Sequence, residues 1–329
     1  MKISGWSSLI IAAILLAVAV LAQSQQPTKI ARIGYLTGAT PEGQAARIEA
    51  FRQGLRDLGY VEGKNIVIEY RYAELKPERL PALAAELVRL KVDVILASAG
   101  GMTRAAKEAT DTIPIVMAQD VDPVANGFVA SLARPGGNIT GLSNLSPEIS
   151  GKQLELLKEI IPKLSRVAVL GGASANPANV RQLREIELTA GALKVKIQYL
   201  AVLSPKDIES AFRAAGKGRA DAVVALGSPI LNSHRTQTVE LAGKSRLPAI
   251  YNHSEYVVDG GLMTYSASLP DLDRRAATYV DKILKGRKPA DLPVEQPIKF
   301  EFIVNLKAAK QIGLTIPPNV LVRADRVIK

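Results

Sequence analysis

Residues 92–124, VDVILASAGGMTRAAKEATDTIPIVMAQDVDPV, decide the fold class. They hold two short apolar runs, 92–97 and 113–118. Both are rich in β-branched residues and short, as strands buried on both faces are. Between them, 103–109 is predicted helical: Ala105, Ala106 and Ala109 favour a helix and give it a narrow apolar face. Strand, helix, strand in so short a span is a βαβ crossover, which requires parallel strands. Ser98-Ala99-Gly100-Gly101 follows the first run and Gln119-Asp120 the second. Open parallel sheets bind ligands outside the carboxyl ends of their strands. Glycine there permits close approach, and the next helix offers free N–H groups. The other reading of this stretch alone is an ordinary βα loop.

The same grammar runs outward in both directions. Upstream, 30–36 is a strand ending in Thr37-Gly38-Ala39-Thr40, and Pro41 opens a helix carrying Phe51, Leu55 and Leu58. Residues 65–72 alternate as a strand, and 77–90 form a helix. By Ala118 the order is β-α-β-α-β-α-β, one doubly wound half. Downstream, 122–133 reads as a short helical piece, 139–142 as a short strand and 147–161 as a helix. Pro162 breaks that helix and the pattern restarts. Strands are expected at 166–170, 195–201, 220–226, 248–251 and 261–265, with helices at 177–190, 205–215 and 230–242. Two similar halves, each with polar loops after its strands, predict two lobes facing across a cleft. The tail holds a long helix at 271–284, a proline-bearing linker at 290–297, a strand at 298–304 and a helix at 307–312. Returning segments imply several crossings between lobes, a hinge arrangement suited to closing on a ligand. The expected boundaries are 30–143 with 266–290 for the N-terminal lobe, and 144–265 with 291–329 for the C-terminal lobe.

Composition narrows the function classes. The chain has 329 residues, 47% of them hydrophobic but only 5% aromatic, which suits parallel sheets covered by small-residue helices. It has no cysteine, which excludes disulfides, thiolate metal sites and cysteine nucleophiles. Its two histidines, His234 and His253, argue against a multi-histidine metal site, so no metal and no cofactor is expected. Residues 1–22 read as a cleaved secretory signal: Lys2, an apolar run over 9–21 that is short for a spanning helix, and a small residue at Ala22; the other reading is an uncleaved membrane anchor. No cysteine follows for a lipid anchor, and 23–29 is a polar linker. The formal charge is +11, but its basic residues are scattered and not interleaved with aromatics. That is a solvated basic surface rather than a nucleic-acid site.

No G-x-S-x-G elbow, P-loop or G-x-G-x-x-G occurs, so neither hydrolase nor nucleotide chemistry has support. Asp120 and Asp122, beside Pro123, are expected to cap the segment that follows. His253 sits in a strand-end loop, either as a ligand hydrogen bond or as a surface histidine. No catalytic set is expected.

The chain from about residue 29 onward resembles the bacterial ABC transporter substrate-binding proteins of the type 1 periplasmic-binding fold, in the branch that includes tryptophan- and tyrosine-uptake members. The resemblance rests on IARIGYLTGATPE, FRQGLRDLGYVEGKNIVIEYRYAE, VMAQDVDPVANGFVASLARPGGNITGLS and the closing stretch from YVDKILKGRKPADLPVEQPIKFEF to PPNVLVRAD. It implies a monomeric periplasmic protein that captures a small polar organic ligand, amino-acid-like, and delivers it to an ABC permease driven by a separate ATPase subunit. It places ligand contacts in the strand-end loops. In the first lobe these are Thr37, Thr40, Ser98, Gly100 and Asp120, the last facing an ammonium. In the second lobe they are Ala173, Ser174, Asn176, Ser228 and Asn252, with Tyr265 and Ser266 at a crossing. An aromatic ligand would call for a stacking ring, for which Tyr35, Tyr251 and Tyr265 are the candidates. An exported ligand sensor serving a membrane receptor would use the same fold, and an exported hydrolase is the third reading.

Overall fold

The computed structural model describes residues 30–144, 147–173 and 177–329. The segments read as signal (1–22) and linker (23–29) lie outside the described residues. Two α/β lobes are built on two sheets. The first sheet has the order β2-β1-β3-β4-β5 and is parallel throughout. Its strands are β1 (Ala31–Thr37), β2 (Ile66–Tyr72), β3 (Val94–Ala97), β4 (Ile115–Met117) and β5 (Ile139–Gly141). In β3, Val94 and Leu96 enter one core, while Ile95 and Ala97 enter the other. The period-2 alternation thus serves two buried faces, which is why the run is apolar without interruption. Helices α1 (Pro41–Asp57), α2 (Leu80–Arg89) and α3 (Gly100–Ala109) cover these faces.

The expected helical piece at 122–133 is a chain of turns instead. Asp122 Oδ1 accepts from Ala125 N at 3.0 Å, and Asn126 gives its side chain to Asp120 at 2.9 Å. Gly127 has φ of +68°. Short polar side chains that bond the nearby backbone compete with helix, and a positive φ ends one.

The second sheet has the order β12-β11-β10-β9-β8-β6-β7. Strands β6 (Arg166–Gly171), β7 (Lys196–Ala201), β8 (Ala222–Ala225), β9 (Ala249–Tyr251) and β10 (Met263–Ala267) repeat the first sheet's order. Two strands are added at the edge, β11 (Phe300–Asn305) and β12 (Arg326–Ile328). β11 runs antiparallel to β10, with Tyr265 opposite Phe302, a junction the sequence reading did not anticipate. Helices α4 (Pro147–Ile160), α5 (Pro177–Leu193), α6 (Pro205–Lys217), α7 (Pro229–Ser233), α8 (Arg235–Lys244) and the short α9 (Glu255–Val258) belong to this lobe.

After β10 the chain returns to the first lobe. There α10 (Leu269–Leu284) packs along α1 and puts Leu272, Ala276 and Val280 into the core beside Phe51 and Leu55. Gly54 makes this approach possible, because a methyl group there would overlap the Arg274 carbonyl. The chain stays in this lobe beyond the expected boundary at 290. Leu292 and Val294 are buried in first-lobe cores, and Thr140 donates to the Leu292 carbonyl at 2.5 Å. Glu295 pairs with Leu142. The last crossing therefore falls between Glu295 and Phe300, because burying Leu292 and Val294 holds the chain against β5. Among the described residues, the chain leaves the first lobe after Asn144, returns to it near 267–269 and leaves it again near 295–300. Helices α11 (Leu306–Gln311) and α12 (Pro318–Leu321) finish the second lobe. Among the described residues no helix is long and apolar enough to cross a membrane.

Candidate site in the interlobe cleft

The carboxyl ends of both sheets meet at a pocket lined by Val121 and Asn144 from the first lobe. Gln153, Gln182, Gly227, Asn252 and His253 line it from the second, with Ala267 at a crossing. The pocket holds about 50 Å³, room for a few waters, so the lobes must part to admit a solute. An ion pair from Arg181 on α5 to Asp122 also spans the lobes.

The first-lobe wall is braced by a buried ion pair. Arg47 on α1 donates to Asp273 on α10 through Nε (2.5 Å) and Nη2 (3.3 Å), and to the Ser98 carbonyl through Nη2 (3.0 Å). Burial opposes the Arg47 charge, but Asp273 outweighs it and holds the guanidinium above its usual range. Next to it, the Gln119 amide lies 3.1 Å from Arg47 Nη1 and 3.2 Å from the Asn144 side chain. Asn144 is fixed by its backbone N–H, bonded to the Asp120 carbonyl at 2.9 Å.

The second-lobe wall carries acceptors without partners. Asn252 gives its Nδ2 to Asn232 at 3.4 Å, which leaves Oδ1 buried and unbonded. His253 Nδ1 and Glu255 Oε2 are also buried and unbonded. Burial lowers the His253 pKa, Glu255 opposes this, and Arg47 and Arg235 add to it. The ring is therefore neutral at pH 7, and with its proton on Nε2 it presents Nδ1 as an acceptor.

The residues expected in the strand-end loops fall mostly one step away from this pocket. Asn252 lines it. Thr37 Oγ1 accepts from Ala39 N, and Thr40 caps α1 by accepting from Gly43 N, both at 3.2 Å. Ser98 contributes its carbonyl to Arg47, not its hydroxyl to the cleft. Gly100 makes room for the Asp120 carboxylate, which a side chain at 100 would strike. Asp120, expected to meet an ammonium, is instead spent on its own loop: Oδ1 accepts from Asp122 N (2.8 Å) and Asn126 (2.9 Å). Ser228 caps α7, and Ser266 is buried beside Thr264 at 3.2 Å. Ala173 is exposed, and its carbonyl accepts from Asn179 at 3.2 Å. Ser174 and Asn176 lie outside the described residues. Tyr265 faces the far side of α4, stacked on Phe300 with centroids 6.0 Å apart in a separate outer groove. The other two candidate stacking rings are also committed elsewhere. Tyr35 is in the first-lobe core with its hydroxyl on Gln44 (2.9 Å), and Tyr251 stacks on Tyr256 at 4.7 Å.

Sequence reasoning passed over Gln153, Gln182 and Arg47, which sit on helices rather than after strands. Gln153 donates to the Tyr251 (3.2 Å) and Tyr265 (2.9 Å) carbonyls and so fastens α4 to the strand ends. A glutamine or arginine on the apolar side of a helix was the available signal.

Asp120 yields a test of this loop. Burial pushes its carboxyl up to about 6, with Asn126 and Arg104 pulling the other way. The unfolded chain ionises this group near 4, so the stability it confers is full below that pH and is lost as pH rises towards 6. Asp120→Asn keeps the Oδ1 acceptor and removes the charge. Melting temperatures taken between pH 4 and 7 should show the variant matching or exceeding the parent above pH 6. A variant that melts lower at pH 7 would contradict this.

A cleft closed by two lobes, walled by amides and unpaired acceptors, is a solute-binding architecture. The chain matches the family of ABC transporter substrate-binding proteins over residues 40–328. It belongs to that family. This substrate-binding protein is similar to a tyrosine-binding protein of Clostridioides difficile, 27% identical over 267 residues, which are 81% of this chain and 76% of that one. Among solved structures it resembles a conserved domain protein from Vibrio cholerae, with TM-score 0.79, 30% identity, and coverage of 91% of this chain and 100% of the other. A Streptococcus pneumoniae ABC domain in complex with L-Trp matches with TM-score 0.79 and 27% identity, over 91% of this chain and 99% of that one. The chain is thus the solute-binding component of an ABC importer, in two type 1 lobes that work with a permease.

Proposed function

We propose that this protein closes its two lobes on an amino acid in the periplasm and presents the closed form, as a monomer, to its permease, without catalysing a reaction. The observation that carries the ligand class is the pair of buried, unbonded acceptors on one wall, Asn252 Oδ1 and His253 Nδ1. Buried polar atoms are seldom left unpaired, and an ammonium supplies several donors at one point. Two relatives carry ligands of this class in their names, tyrosine and L-Trp. An excess of acceptors without a basic cluster in the pocket disfavours phosphorylated solutes.

The test is a thermal-shift panel of the purified chain against the twenty amino acids, with sugars and nucleosides as controls. A ligand at a hundredfold excess over Kd should stabilise the protein by about 2.7 kcal/mol. If only sugars or nucleosides raise the midpoint, the amino-acid reading is wrong.

A further inference from the structure

One end of the polar line on the first-lobe wall has a fixed direction. Arg47 carries only donors, and Asp273 and the Ser98 carbonyl occupy Nε and Nη2. Its Nη1 points at the Gln119 amide, 3.1 Å away. The Gln119 atom facing Arg47 is therefore the carbonyl oxygen, since two donors cannot bond. That orientation turns the Gln119 NH2 towards the Asn144 side chain at 3.2 Å. Asn144 must then offer its own oxygen to Gln119. Its NH2 then takes the other position, where the amide atom is buried and unbonded among the described residues, on a residue lining the cleft.

We propose that Arg47, acting through Gln119, fixes Asn144 as a hydrogen-bond donor to the ligand and so creates a subsite for the ligand's carboxylate. This rests on the amino-acid reading and deepens it. Asn144 is the binding residue, Gln119 a positioning residue, and Arg47 the anchor that sets the sense of the line. The opposite wall offers acceptors at Asn252 and His253. A zwitterion therefore lies across the cleft, carboxylate on the first lobe and ammonium on the second. Each lobe reads one end of the ligand, so the full set of bonds forms only when the lobes shut on it.

Reversing the line is the test. Glutamate at position 119 accepts on both sides: it keeps Arg47 and draws the Asn144 NH2 towards itself, turning the Asn144 oxygen into the cleft. The probes are whichever of the twenty amino acids binds tightest, L-tyrosine and L-tryptophan included, and the carboxamide of that same amino acid. Calorimetry on the parent should show the acid binding at least about tenfold tighter than the amide. Gln119→Glu should weaken the acid by about tenfold or more and erase or invert that preference. A purely structural role for Gln119 would weaken both probes alike. An unchanged acid-to-amide ratio in a folded Gln119→Glu protein overturns the proposal. Should that variant not fold, Gln119→Met, which leaves Asn144 free to turn, decides in the same way: a reduced ratio supports the relay and an unchanged one overturns it. If the parent itself binds acid and amide equally, the subsite falls and the amino-acid reading stands. If neither any amino acid nor any amide binds, both fall.

Discussion

Replacing Asp273 with alanine is expected to cost about 3–5 kcal/mol of stability, because it leaves Arg47 charged and buried without its partner. The Asp273 side chain is 0% exposed and that of Arg47 13%, so water cannot take over the lost role. The Ser98 carbonyl and the Gln119 amide would remain as neutral acceptors beside the guanidinium. The pair also fastens α10 to α1, and α10 supplies a large part of one core face. Urea unfolding of parent and variant measures the effect. Replacing both partners with apolar residues, Arg47→Met with Asp273→Leu, should recover most of the loss, since a buried pair is often replaceable while a buried orphan is not. A single-variant loss under about 1 kcal/mol would mean that the guanidinium finds water, and the buried-pair account would be abandoned.

The second large effect is on binding. Asn252→Leu removes one of the two unbonded acceptors carried by pocket-lining residues of the second lobe, with little change in size. Hydrogen bonds to a charged group contribute about 1.5–3 kcal/mol, so affinity for the amino acid should drop about ten- to a hundredfold. Stability should hardly change, because the bond that the Asn252 side chain makes to Asn232 is long, at 3.4 Å. His253 should give a pH signature at the same site. Its neutral Nδ1 is the acceptor, so protonation on acidification turns an acceptor into a donor and weakens binding. Burial resists that protonation, Glu255 favours it, and Arg47 and Arg235 oppose it further, so the loss should begin below pH 6.5. Calorimetry from pH 5 to 8 on parent and variants checks both points. Equal affinity in Asn252→Leu would remove that residue from the site.

The lobes and most of their elements can be read in the sequence because buried parallel strands must be apolar on both faces. The runs around β3 and β4 have that character, with their helix between them. Less legible was anything decided by distant partners: the antiparallel placement of β11, and the retention of 292–295 on the first lobe through Thr140 and Leu142. The candidate site shows a systematic displacement. The expected Asp120, Ser228 and Ser266 stand next to the pocket-lining Val121, Gly227 and Ala267. The loops were identified from the strand ends, but choosing polar residues within them picked side chains that the loops use themselves. Asp120 ties down its turn, Ser228 caps a helix and Ser266 is buried. The polar groups that do reach the cleft from Gln153 and Gln182 come from helices whose facing only the packing reveals.

The late return of α10 to the first lobe also bears on the order in which the protein can acquire structure. Synthesis runs from the amino terminus, yet one face of the first lobe's core is closed by Leu269, Leu272, Ala276 and Val280, and by Leu292 beyond them. The first-lobe segment that emerges early therefore has only α1, through Ile48, Phe51 and Leu55, to cover β1 and β3 on that side until β6 to β10 have followed and α10 arrives. The second lobe is likewise unfinished until β11 and β12 arrive from the last thirty or so residues. Neither lobe can mature ahead of the other, and a chain cut after β10 would leave both with an open flank. Such a polypeptide stays incompletely packed until its final segment is made.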